Sequence, residues 1–235
     1  MVGSMVVARA REVGDDPVVV ARSAGVDVMT GAGLDEALAG VEAVVDVTNI
    51  QTTSRKKAAA FFETATRHLL EAEARAGVRH HVLLSIVGVS DAGYGYYVAK
   101  HAQEELALAS PTTTVLRATQ FHEFAGQMLM MKGPLAVAPK MLSQPIAAAE
   151  VAAALVELAH QEPAGRAPDL AGPEQQWMPD MVKRLAKARG DRRLIVSVGF
   201  PGKVGKQMTG GGLLPTAPGP RGTQTFDQWL GTFAH

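Results

Sequence analysis

Apolar residues fall along this chain in two textures. Short, unbroken runs at 17–21, 43–47, 81–86 and 113–116, most of them rich in β-branched residues, carry the pattern of buried strands, with a shorter one expected at Val26–Val28. Between them, at 3–13, 34–38, 58–76 and from Tyr96 through Leu108, apolar side chains recur every three or four residues, as on one face of a helix. Ser4 is a candidate N-cap for the first of these helices, and Gly14, Gly40 and Gly77 are stop signals for the first three. Strands alternating with helices predict a parallel sheet covered on both faces, a doubly wound α/β arrangement.

Beyond Phe121 the pattern loosens. Met128 to Met131 read as gap-filling core, Pro145-Ile146 as a short strand and Ala149–Ala159 as a helix returning to the main domain. Asp180–Arg189 reads as a basic helix ended by Gly190, most simply a solvated face. The Gly- and Pro-rich segment 199–222 is expected to be a mobile loop without regular structure. The expected division is a main domain over 1–162 and a smaller segment over 163–235.

Composition narrows the classes. Basic and acidic residues both total 23, so the basic excess of a general nucleic-acid binder is missing. There is no cysteine, which removes disulfides, thiolate catalysis and Cys-ligated zinc. His122-Glu123 lacks a second histidine at the spacing of a zinc helix, and no metal is expected. The charged first turns do not form a signal peptide, and no apolar run is long enough for a membrane span. The expectation is a cytoplasmic protein, monomer or homodimer, acting on a small molecule without nucleic acid or membrane.

The candidate chemistry sits at Tyr96 and Lys100, four residues apart on one helical face just after the 81–86 strand. An ammonium beside a phenol favours the phenolate and suits it to pass a proton to or from a carbonyl or alcohol oxygen. Ligands of open α/β sheets bind outside the carboxyl ends of strands, where this pair is expected. The other reading of the pair is an exposed helix face covering apolar surface. A rival chemistry is hydrolysis: Gly88-Val89-Ser90-Asp91-Ala92 is a near miss to a nucleophile elbow, with Asp169 and His235 as its partners.

Taken together, strand-end Ser85, Tyr96-x3-Lys100, Arg117-Ala118-Thr119-Gln120-Phe121, Gln144-Pro145-Ile146-Ala147, Leu170-Ala171-Gly172-Pro173-Glu174 and Phe226-Asp227-Gln228-Trp229-Leu230 resemble an atypical short-chain dehydrogenase/reductase of the NmrA-like, NAD(P)-binding branch. The resemblance implies a Rossmann-like domain with a dinucleotide across the carboxyl edge of its sheet. Residues 1–162 would form the dinucleotide-binding part and 163–235 the substrate side. Gly3 and Ser4 match only the last glycine of the family's phosphate loop and the opening of the first helix, so the first strand is expected to be missing and the start site to lie upstream. Arg22, where an acidic residue would bind the ribose of NAD, suits the 2′-phosphate of NADP, with Ser23 adding a hydrogen bond and NAD as the alternative cofactor. By the same resemblance Asp27 and Val28 flank the adenine, and Thr48 and Asn49 line the nicotinamide half. Tyr96 is then the general acid or base. Lys100 lowers its pKa and holds the ribose, Ser85 orients the substrate oxygen, and Phe121, His122 and Phe124 face the substrate. The implied function is hydride transfer between a nicotinamide and a small carbonyl, alcohol or quinone. The alternative is a non-enzymatic NAD(P)-binding redox sensor.

Overall fold

The computed structural model describes residues 1–91, 93, 95–130 and 133–233. Ala92, Met131 and His235, named above, lie outside the described residues.

Helix α1 (Val2–Glu12) is followed not by the strand expected at 17–21 but by irregular chain and a 3₁₀ turn at Arg22–Ala24. Val18 and Val19 are more than 40% exposed. β-branched residues favour a strand only where a neighbouring strand satisfies their backbone groups, and none among the described residues does so here. The strand expected at 26–28 is likewise reduced to a bridge between Asp27 and Ala32.

From that point the expected alternation holds. Helix α2 (Leu34–Leu38), strand β1 (Ala43–Asp46), helix α3 (Arg55–Ala76), strand β2 (His80–Ile86), helix α4 (Gly95–Leu108) and strand β3 (Thr113–Ala118) succeed one another. Ser54 caps α3 by accepting the Lys57 N–H, and Gly77 ends it in the left-handed region at φ 74°. Buried Ala58, Phe62, Ala65, Leu69 and Ala72 form its apolar stripe; of the residues expected to face the core, Phe62, Ala65 and Leu69 do so, Leu70 is half-buried and Ala74 is exposed.

The remaining elements are α5 (Phe124–Leu129), β4 (Leu135–Pro139), β5 (Leu142–Ser143), α6 (Ala148–Ala159), β6 (Gly165–Arg166), β7 (Gln176–Trp177), α7 (Met178–Ala188), β8 (Leu194–Val198), α8 (Gly202–Thr209) and α9 (Phe226–Gly231). The main sheet runs in the order β1-β2-β3-β6. Pairing is parallel in β1–β2, with Asp46 opposite Leu83, and in β3–β6, and the β2–β3 hydrogen bonds advance together from His81–Thr112 to Val87–Ala118. This is a Rossmann-like α/β fold. Strands β4 and β8 pair in parallel, and β5 and β7 antiparallel, in two small sheets. The segment 199–222 is not the structureless loop expected, because α8 lies inside it.

The chain forms two compact units that interleave in sequence rather than meeting at residue 162: 1–85, 94–117 and 152–167 in one, 86–93, 118–151 and 168–235 in the other. In the first, Leu83, Ala107 and Val115 join sheet to α4, while Ala58, Phe62 and Ala99 join α3 to α4. In the second, Phe226 and Trp229 stack with centroids 5.4 Å apart, and the His122 ring leans on both. Among the described residues no helix is long and apolar enough to cross a membrane.

Candidate active site

Helix α4 brings its functional side chains to the carboxyl ends of β1 and β2. The Tyr96 hydroxyl donates to Asn49 Oδ1 at 2.7 Å, tying the first turn of α4 to the chain leaving β1. The Tyr96 ring meets Phe62 of α3 edge to face, 5.6 Å between centroids. The β1–β2 pairing ends with Asp46 opposite Leu83; Thr48 follows β1 by two residues, and Ser85 lies two residues past Leu83 on β2. Thr48 Oγ1 and Ser85 Oγ are both buried and have no hydrogen-bond partner among the described residues. Buried hydroxyls are nearly always paired, so two unspent ones at adjacent strand ends are groups for a ligand to satisfy.

Lys100 is on the same helix and 4% exposed, yet its ammonium is spent differently from the sequence expectation. Nζ donates to Gln103 Oε1 at 2.7 Å and lies 4.9 Å from the centre of the Phe62 ring. Burial pulls its pKa down to about 8 against the raising influence of Asp46 and Glu104. The Tyr96 hydroxyl is not lowered by this neighbour. Burial, then the nearby Tyr97, push it up to about 12. Partial desolvation of the phenol goes unopposed, the ammonium being turned toward Gln103 and Phe62.

Behind Lys100 lies a polar interior that the sequence did not announce. Gln103 Nε2 donates to Asp46 Oδ2 at 3.2 Å and to Thr66 Oγ1 at 2.9 Å, and Asp46 Oδ1 accepts the Thr48 N–H at 2.8 Å. His81 Nδ1 meets Glu73 Oε1 at 2.8 Å, and its Nε2 lies 4.0 Å from Asp46 Oδ2. Burial opposes a charged His81 ring, but Glu73 and Asp46 prevail and its pKa is raised. Glu104, fully buried, accepts from Arg117 Nε at 2.9 and 3.1 Å and from its Nη2 at 2.5 Å. The available signals were small: Gln103 sits one turn past Lys100, and Asp46 is the lone charge in an apolar strand run. His101, Glu104 and Glu105 converge within 4.8 Å, but Arg117 and Arg166 already hold the two carboxylates.

The other expected positions divide. Gly3 and Ser4 open α1, whose first turn has no acidic residue and no side-chain cap, leaving its N–H groups fit for an anion; the Ser4 hydroxyl itself donates back to Met1 O. Arg22 and Ser23 are exposed in the 3₁₀ turn rather than at a strand end, and Arg22 has no ion pair among the described residues. Asp27 uses its carboxylate on the Met29 N–H of its own turn, and the Val28 carbonyl meets His68 Nδ1 at 2.9 Å. In the second unit His122 is fully buried, with its Nε2 3.0 Å from Gln224 O; burial lowers its pKa against the raising influence of that contact. Phe121 and Phe124 are half-buried beside it in the chain.

Residues 3–162 match the model of a family described as NAD(P)H-binding. No curated protein matches the chain. Among solved structures, RMD from Pseudomonas aeruginosa complexed with NADPH is 15% identical, with a TM-score of 0.68 over 100% of this chain and 94% of that one. MoeE5 in complex with UDP-glucuronic acid and NAD is 16% identical, TM-score 0.72, over 98% and 93%. Triphenylmethane reductase from Citrobacter sp., complexed with NADP(H), is 14% identical, TM-score 0.65, over 92% and 89%. At these identities the likeness is one of fold.

Proposed function

Because the chain belongs to the NAD(P)H-binding family, we propose that it is an oxidoreductase exchanging hydride between a nicotinamide cofactor, NADP in preference to NAD, and a small carbonyl, alcohol or quinone. The observation that carries this reading is at the carboxyl ends of β1 and β2: the Thr48 and Ser85 hydroxyls, buried and without a partner among the described residues, and the Tyr96 hydroxyl, held by Asn49 just past β1. The first-turn N–H groups of α1 suit a pyrophosphate, and the exposed guanidinium of Arg22 suits a 2′-phosphate. The bound nicotinamide supplies the hydride chemistry.

The chain's own residues supply the proton and the geometry. Tyr96 gives its proton to the substrate oxygen in reduction and takes it back in oxidation. Ser85 orients that oxygen, and Thr48 and Asn49 line the cofactor side. Lys100 is assigned to hold the ribose, and to stabilise negative charge on the phenol only where bound cofactor draws its amine from Gln103 toward Tyr96. A second reading, a redox sensor that binds NAD(P) without turnover, draws support from one feature: the resting Tyr96 hydroxyl is held near 12, far from an active base at neutral pH.

NADPH oxidation in the presence of a panel of quinones, aldehydes and ketones separates the two. The enzyme reading expects turnover that falls about 10²- to 10⁴-fold in Tyr96→Phe while NADPH binding persists. Tight NADPH binding with no oxidation by any of the panel makes the protein a sensor. Arg22→Ala should weaken NADPH binding and leave NADH binding unchanged; equal losses would remove the 2′-phosphate assignment.

A further inference from the structure

We propose that Asp46 and Gln103 are positioning residues for Lys100: the carboxylate at the end of β1, acting through the Gln103 amide, keeps the amine charged and fixes its direction. This rests on the reading of Lys100 as part of the Tyr96 site. The geometry allows the amide one orientation. An ammonium can only donate and a carboxylate can only accept, so a neutral group joining them must turn its oxygen to the first and its nitrogen to the second. Gln103 does so, with its oxygen 2.7 Å from Lys100 Nζ and its nitrogen 3.2 Å from Asp46 and 2.9 Å from Thr66.

Asp46 also closes a circuit. Its other oxygen accepts the Thr48 N–H, the next residue is Asn49, and Asn49 accepts the Tyr96 hydroxyl. Tyr96 and Lys100 are joined in turn by one helical turn of α4, and both lie against Phe62. One buried carboxylate therefore sets the placement of both candidate groups, from opposite sides.

Every element packed around the amine contributes to its charge. Asp46 comes from β1, His81 from β2, and Glu104 from α4 itself, the last neutralised by Arg117 of β3 with Arg166 of β6 beside it. Glu73 from α3 pairs with His81 on the far side of Asp46. With His81 protonated, the interior reads Glu73 minus, His81 plus, Asp46 minus, Lys100 plus, an alternation that compensates charge far from water. Removing the Asp46 charge sets the two cations against each other with nothing between.

The test is direct titration of the Lys100 amine by NMR in lysine-labelled protein, its signal assigned by loss in Lys100→Arg. In Asp46→Asn the titration should move down by about one unit or more, and in Gln103→Glu it should move up. Unmoved titration in folded Asp46→Asn overturns the proposal. Should that variant fail to fold, Gln103→Glu decides alone, an upward shift supporting the proposal and none overturning it. Neither cofactor nor substrate is needed, so the result is separate from whether the wild type turns over. Where turnover is found, the alkaline limb of its pH profile should shift down in Asp46→Asn and up in Gln103→Glu. A merely structural role would lower the rate at all pH values without moving the limb.

Discussion

The burial of Lys100 and Tyr96 predicts an unusual dependence of stability on pH. Lys100 falls from 10.5 to about 8 on folding. Between those values the native protein has lost the proton while the unfolded chain still binds it, so stability rises with pH. Tyr96 goes the other way, from 10.0 to about 12. Between those values the unfolded chain has released its proton and the native protein holds on, so stability falls with pH. At about 1.4 kcal/mol per unit, the full lysine contribution is ~3 kcal/mol and the tyrosine contribution slightly less. The windows overlap near pH 10, where the net gain over neutral pH is about 2 kcal/mol.

Urea unfolding followed by far-UV circular dichroism, repeated from pH 7 to 11.5, reads this directly. The wild type should gain stability up to about pH 10 and then lose it. Lys100→Met should remove the rise, and Tyr96→Phe the fall. A wild-type profile flat within about 0.5 kcal/mol between pH 7 and 10, or a rise that survives in Lys100→Met, refutes the reasoning.

Two further substitutions test the packing. Glu104→Gln removes a fully buried carboxylate from beside the Arg117 guanidinium and should cost about 3–5 kcal/mol in urea unfolding, whereas replacing both residues by apolar ones of similar volume should restore much of it. Gly88, at φ 79°, faces the Gly212 carbonyl where a Cβ would stand. Gly88→Ala should therefore lower the melting temperature by an amount equivalent to about 1–3 kcal/mol, and an unchanged melting temperature would show that the 87–91 turn gives way freely.

What could be read in the sequence depended on whether an element makes its own case. Helix α3 does so, with a capping serine, a stop glycine and a full apolar stripe between. Strand β2 does so as an apolar run long enough to be buried on both faces. Strand β4 does not: Leu-Ala-Val-Ala-Pro has two alanines and a proline, and it becomes a strand only by pairing with β8. Helix α8 forms in spite of Gly205 because the chain entering the helix needs that glycine; a Cβ there would run into the Phe200 carbonyl. Val18 and Val19 show the converse, strong strand formers left exposed for want of a partner strand among the described residues.

The candidate site follows the same logic one level down. A spacing of four residues says that Tyr96 and Lys100 share a helix face, and the strand before them says which edge of the sheet that face meets. Both are statements about the backbone, and the backbone pattern carries them. The sign of the tyrosine's pKa shift is a statement about surroundings, and those include two other elements, through Phe62 on α3 and Asp46 on β1, besides Gln103 two turns further along α4 itself. An ammonium lowers a phenol's pKa only when it points at the phenol through little else. Here the amine is drawn to an amide and a ring, and desolvation of the phenol has no opponent. Binding of a ligand that draws the amine back toward Tyr96 would reverse that balance, so the tyrosine should titrate lower with cofactor bound than without it. Ultraviolet difference titration of the tyrosines, with Tyr96→Phe to identify the signal, would show this as a downward shift on adding NADPH, and an unmoved titration would leave Tyr96 without its partner.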